Sequence, residues 1–170
     1  MSSPLSLTVS VACFDREVWI RVEGRGNFQG SGCIKQFVHA MIGRGYREFV
    51  IDLGACEHMD STFMGTLTGI SQSLREIGQG SLKTLNVSPR NVELLENLGL
   101  NNLFDVEPVG AILRQPGGGD IPMLPIPTTG SGEEKEIILS AHIALAQANE
   151  TNAERFRDVL EYLRGDSGAV

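Results

Sequence analysis

The residues best placed to do chemistry lie between Phe49 and Leu67. There an apolar run, Phe49-Val50-Ile51, leads through Gly54-Ala55-Cys56-Glu57-His58-Met59 to Asp60-Ser61-Thr62. A short run this apolar fits a strand covered on both faces, and Asp-Ser-Thr fits the opening of a helix. A serine hydroxyl at a helix start accepts a hydrogen bond from an otherwise unpaired backbone amide. The same amides, with the helix dipole, attract an anion. A phosphate on Ser61 is therefore compatible with such a fold, and it adds roughly −1.5 to −2 charges to the surface. That change can block one partner without unfolding the domain. Taken alone, the pattern reads more simply as an ordinary capped helix.

Two rival constellations are weaker. Gly24-x-Gly26-x-x-x-Gly30 follows a strand and precedes a helix, and Asp52 lies about where a ribose-binding acid would sit. The spacing carries one residue too many for GxGxxG, the strand before it belongs to a hairpin, and too few strands follow for two mononucleotide-binding halves. A dinucleotide-binding domain stays a remote alternative. His58, Asp60 and Ser61 are too close in sequence to form a hydrolytic triad, because near neighbours project in different directions, and no GxSxG elbow exists elsewhere. His58 reads as a loop residue, and His39 and His142 as helix-surface or boundary residues. Cys56 reads as a buried structural thiol, although a helix N-terminus can activate one. Cys13, Cys33 and Cys56 make no CxxC pair and the histidines are scattered, so neither a disulfide framework nor a zinc site is expected. The expectation is a binding protein with no catalytic residue, cofactor or metal.

The surrounding chain supplies the elements that must hold this segment. Leu5, Leu7, Val9, Val11 and Cys13 alternate, as do Val18, Ile20 and Val22 after a turn at Phe14-Asp15-Arg16, which predicts an antiparallel hairpin. A glycine-rich loop over 24–32 precedes a helix carrying Ile34, Phe37, Val38 and Met41. The helix after Asp60 carries Met64, Leu67, Ile70, Ser71 and Leu74 and breaks at Gly78 and Gly80. Leu82 to Val87 is the next strand, and Ser88-Pro89 caps a third helix that stops at Gly99. A last short strand falls within 103–114. Strands alternating with helices after an opening hairpin imply an α/β domain over 1–114. Residues 115–132, rich in proline and glycine, read as a linker. Residues 133–170 read as a helical C-terminal extension, with Thr151-Asn152-Ala153-Glu154 as a capping box between two helices. Its apolar face must pack on its own domain (the favoured reading), a second copy or a client.

Composition narrows the partners. Across 170 residues, 14 Lys and Arg stand against 21 Asp and Glu, a net charge of −7 that disfavours phosphate backbones and anionic membranes. No apolar run approaches the ~20 residues needed to span a bilayer, and the N-terminus lacks the basic and apolar regions of a signal peptide. The expectation is a cytoplasmic protein that neither binds nucleic acid nor inserts in a membrane.

The run Val50-Ile51-Asp52-Leu53, followed by Met59-Asp60-Ser61-Thr62-Phe63-Met64-Gly65, resembles the signature of STAS domains of the anti-sigma-factor-antagonist type. In those proteins it follows the third strand and carries the phosphorylated serine. Glu93-Leu94-Leu95-Glu96-Asn97-Leu98-Gly99-Leu100 with Leu103-Phe104 resembles the family's third helix and final strand. The resemblance implies a STAS-like α/β fold, a mixed sheet of about four or five strands with helices. It further implies Ser61 as phosphoacceptor and an anti-sigma factor that doubles as a serine kinase as partner. Unphosphorylated antagonist binds that partner and frees the sigma factor; phosphorylation ends the binding. The partner-binding residues are then Asn27, Asp60, Ser61, Thr62 and Phe63. Family members often carry an acidic residue facing the serine where this chain has Asn27. An early glycine after the serine is replaced here by Phe63 and Met64, which either form a greasier docking surface or point into the core. Asn27 also suits the alternative, a non-phosphorylated STAS adaptor or scaffold subunit in a lipid-transport or signalling assembly. Self-association through the C-terminal helices is left open.

Overall fold

The computed structural model describes residues 7–109, 124–127 and 134–168. The opening hairpin forms as expected: β1 (Thr8–Phe14) pairs antiparallel with β2 (Glu17–Gly26), Val9 opposite Val22 and Val11 opposite Ile20. Asp15 makes the turn with φ 55°, a left-handed conformation that Asp tolerates better than most residues. Three parallel strands follow, each reached through a helix. They are β3 (Glu48–Met59), β4 (Ser81–Val87) and β5 (Asp105–Pro108), connected by α1 (Phe28–Gly43), α2 (Ser61–Ile77) and α3 (Pro89–Asn97). A short strand, β6 (Leu124–Ile126), pairs antiparallel with β1. The described sheet has six strands in the order β5-β4-β3-β2-β1-β6, slightly more than the sequence reading expected.

Alternation decides which face is buried. Val9, Val18, Ile20, Val22, Phe49, Ile51 and Leu53 join Ile34 and Val38 of α1, Phe63 and Leu67 of α2 and Leu95 of α3 in one core. On the other face Trp19, Val50 and Leu85 are buried together with Ala12 packed against them. The central strands are thus covered on both faces, as parallel strands require.

Two local readings need correction. The glycine-rich loop over 24–32 does not exist: Gly24 and Gly26 end β2, and Asn27 caps α1 directly. The segment Gly54–Met59 is not a loop but the second half of β3, which pairs with the end of β2 after two register shifts. Bulges of this kind break the two-residue period. Of the expected linker, residues 124–127 are described, and β6 lies among them with Pro125 on an edge strand, where a missing N–H costs no ladder bond.

The C-terminal helices are α4 (Glu134–Ala148), α5 (Glu150–Arg155) and α6 (Arg157–Gly168). They divide at Asn149, whose side chain accepts from the Asn152 amide at 2.8 Å. The expected cap at Thr151 is therefore displaced by two residues. Helix α4 packs along α2, and Leu145 and Phe156 enter the main core.

Candidate functional site

The site is built where β2 and β3 end and α2 begins. Asp60 is the N-cap of α2, its backbone extended at φ −87° and its carboxylate accepting from the Phe63 amide at 2.8 Å. Its own N–H donates to the Gly26 carbonyl at 2.9 Å, which ties the start of α2 to the end of β2. Ser61 is therefore the first helical residue rather than the cap, and its half-buried hydroxyl is not needed by the backbone. Burial pushes the Asp60 carboxyl up from its ordinary value, against the Phe63 and Thr62 amides and the neighbouring His58 and His142, which lower it. The first-turn amides are thus directed at Asp60, not held open for an anion.

The residues beside the serine split by burial. Phe63 is completely buried and Thr62 nearly so. A Cβ on Gly26 would meet the Phe63 ring at 2.9 Å, so the absent side chain there makes the ring's room. Phe63 and Thr62 therefore offer no side-chain docking surface, and the bulky pair after the serine resolves as core. Asn27 follows Gly26 and is occupied locally: its side-chain oxygen accepts from the Gln29 and Gly30 amides at 3.0 and 3.4 Å. It serves α1 as an N-cap.

His142 completes the arrangement, and sequence reasoning missed it. The ring is 5% exposed, not at the helix surface. Its Nδ1 lies 2.8 Å from the Ile138 carbonyl, one turn back in α4. A carbonyl only accepts, so Nδ1 carries the proton. In the neutral ring Nε2 is then an acceptor, and it sits 3.0 Å from Ser61 Oγ. The serine hydroxyl donates across the α2–α4 seam. Phe156 holds the ring from the side, edge-on, with centroids 5.5 Å apart.

The seam around this bond is small and close. A Cβ on Gly65 would collide with the Ala141 carbonyl, while one on Gly69 would stand 3.7 Å from the Ala144 Cβ. Gln72 donates to the Ala144 carbonyl at 3.0 Å, and Lys35 of α1 donates to Ser140 at 3.1 Å. Ser61, Gly65, Gly69 and Gln72 recur at helical spacing and form one face. At the far end Asn149 and Asn152 both donate to the Leu98 carbonyl, at 3.1 and 2.9 Å. Gly65 with Gly69 and Ala141 with Ala144 were the available signal of a close helix crossing.

The other candidates go elsewhere. Asp52 accepts from Arg21 at 3.3 Å, from Gly54 N at 2.9 Å and from Asn86 at 3.2 Å, and Gly30 lies within α1 against Leu7. Together with the missing loop, this removes the basis of the dinucleotide reading. Cys56 is buried and Cys33 half-buried, and burial pushes both thiols up, that of Cys33 to about 11. Among the described residues no group of three or more His, Cys, Asp or Glu could hold a metal ion, and no helix is long and apolar enough to cross a membrane.

Comparison with known proteins places this geometry. The chain shares its fold with an anti-sigma factor antagonist from Mycobacterium paratuberculosis (23% identity over 65% of this chain and 92% of that one, TM-score 0.56). It also matches the anti-sigma factor antagonist SpoIIAA in its unphosphorylated form, at 19% identity over 58% of this chain and 86% of that one, TM-score 0.52. No curated protein matches the sequence. The STAS domain model matches residues 8–111, well over half of the chain and all of β1–β5 and α1–α3, and so the chain belongs to the STAS domain family.

Proposed function

We propose that this STAS protein is an anti-sigma-factor-antagonist-like binding module, cytoplasmic and non-enzymatic, switched by phosphorylation of Ser61. Its partner is an anti-sigma factor that doubles as a serine kinase. The observation that carries the reading is the position of Ser61: first residue of α2, half-buried, with a hydroxyl no backbone group requires. A phosphate there adds roughly −1.5 to −2 charges beside the Asp60 carboxylate, a like-charge repulsion that ends a docking contact. The domain division that goes with this function is a STAS module over 1–114, a linker over 115–132 and a helical extension over 133–170.

The test is incubation with co-encoded histidine-kinase-like serine kinases and ATP, read by intact mass. The wild type gains one phosphate and Ser61→Ala gains none. A wild type left unmodified by every such kinase of the host sinks the switch.

One observation favours a second reading. Asn27 supplies no carboxylate near Ser61 and is spent on capping α1. A STAS adaptor or scaffold subunit of a lipid-transport or signalling assembly needs no acceptor chemistry. It is distinguished by stable partner capture that Ser61→Glu, which puts a negative charge where the phosphate would sit, leaves unchanged.

A further inference from the structure

We infer that the C-terminal helices are a built-in cap on the α2 face, latched to Ser61 by His142, and that the cap must lift before a kinase or partner reaches that serine. The inference rests on the phosphoacceptor reading of Ser61 and adds its regulation.

Contacts along the whole seam carry it. Ser61 Oγ lies 3.0 Å from His142 Nε2, and because Nδ1 donates to the Ile138 carbonyl, Nε2 of the neutral ring is an acceptor aimed at the serine. Helix α4 lies along the Ser61 face of α2, close enough at Gly65 that any side chain there would strike the Ala141 backbone. Gln72 extends the contact one further turn by donating to the Ala144 carbonyl. Behind α4, Asn149 and Asn152 fix α5 to the last carbonyl of the α3 turn. An incoming phosphoryl donor must approach the oxygen that His142 faces, and a rigid protein partner must occupy the face that α4 covers. Docking and closure therefore compete for one surface, and the closed fraction lowers apparent affinity in proportion. Linkage makes the coupling mutual: a partner that binds only the open form holds the cap open.

A reversible lock tests this in the full chain. Gly69→Cys with Ala144→Cys, in a Cys13→Ser background, places two thiols on Cβ positions 3.7 Å apart, within the about 3.5–4.5 Å that a disulfide spans. Ser61 phosphorylation is timed with the same kinase and ATP before and after reduction, with circular dichroism confirming that both states are folded. The expected result is a rate at least about ten-fold lower in the oxidised form, restored by reductant. In the unlocked chain His142→Ala speeds the reaction by about five-fold, as expected for loss of one latch bond. Equal rates in oxidised and reduced forms overturn the cap and leave the phosphoacceptor reading standing. Absence of phosphate in both states, and in the wild type, overturns the phosphoacceptor reading and the cap with it.

Discussion

Gly65→Ala separates the seam between α2 and α4 from the stability of the α/β body. The new methyl group would strike the Ala141 carbonyl, a backbone atom that cannot rotate away, so α4 itself has to move. Overpacking of this kind costs about 1–3 kcal/mol. Replacing a helical glycine by alanine returns about 1 kcal/mol of propensity. That gain is present whether α4 is seated or lifted, because α2 stays helical in both. It cancels from the opening equilibrium, which bears the whole clash and shifts by roughly 5- to 150-fold. Global unfolding sees both terms and changes by no more than about 2 kcal/mol. Native-state hydrogen exchange reads the two separately. Amides of 141–148 should exchange faster by that factor, while those of 49–53 in β3 slow or quicken only with global stability. Gly69→Ala is the control, since its Cβ makes an ordinary 3.7 Å contact with Ala144 and the propensity gain should dominate. Unchanged exchange across α4 in Gly65→Ala refutes the close crossing and the reasoning built on it.

Other outcomes follow from the same geometry. Asp60→Ala removes the α2 cap and should cost about 1 kcal/mol in denaturant titrations, whereas Asp60→Asn keeps a capping side chain. Because burial raises the Asp60 carboxyl in the folded state, that state holds its proton more tightly than the unfolded chain. The stability this group contributes is full below its unfolded value and is lost as pH rises through the folded one. Asp60→Asn should therefore match the wild type in acid and equal or exceed it at neutral pH; a deficit that grows with pH contradicts the assignment. Gly26→Ala puts a methyl group 2.9 Å from the buried Phe63 ring and should destabilise by about 1–3 kcal/mol, with a neutral result refuting the packing. Native alkylation near pH 8, followed by peptide mass mapping, should modify exposed Cys13 first, with Cys33 and Cys56 protected by raised thiols. Labelling of Cys33 as fast as Cys13 would contradict its half-buried, raised thiol.

Much of this architecture was legible in the chain, for identifiable reasons. The hairpin follows from two clean period-2 runs, and α3 from Ser88-Pro89, where the serine accepts from Asn91 N at 3.2 Å. Strand β3 was legible only to Leu53, because bulges opposite β2 erase the alternation that marks a strand. Strand β6 was hidden by Pro125, a residue that argues against a strand except at an edge. At the site, the sequence located Asp60 and Ser61 but gave the cap to Ser61 instead of Asp60, since both residue types cap helices equally well. Phe63 was ambiguous because one position decides between core and surface, and the missing side chain of Gly26 settles it. His142 lay out of reach: it meets Ser61 across 81 residues, a pairing that only the packing of α4 creates.

The most direct measurement of the central claim is a titration of the co-encoded histidine-kinase-like serine kinases with the chain in two states, unmodified and carrying a phosphate on Ser61. Saturable binding of one such kinase by the first state and its loss in the second are expected. Equal affinity in the two states would contradict the claim.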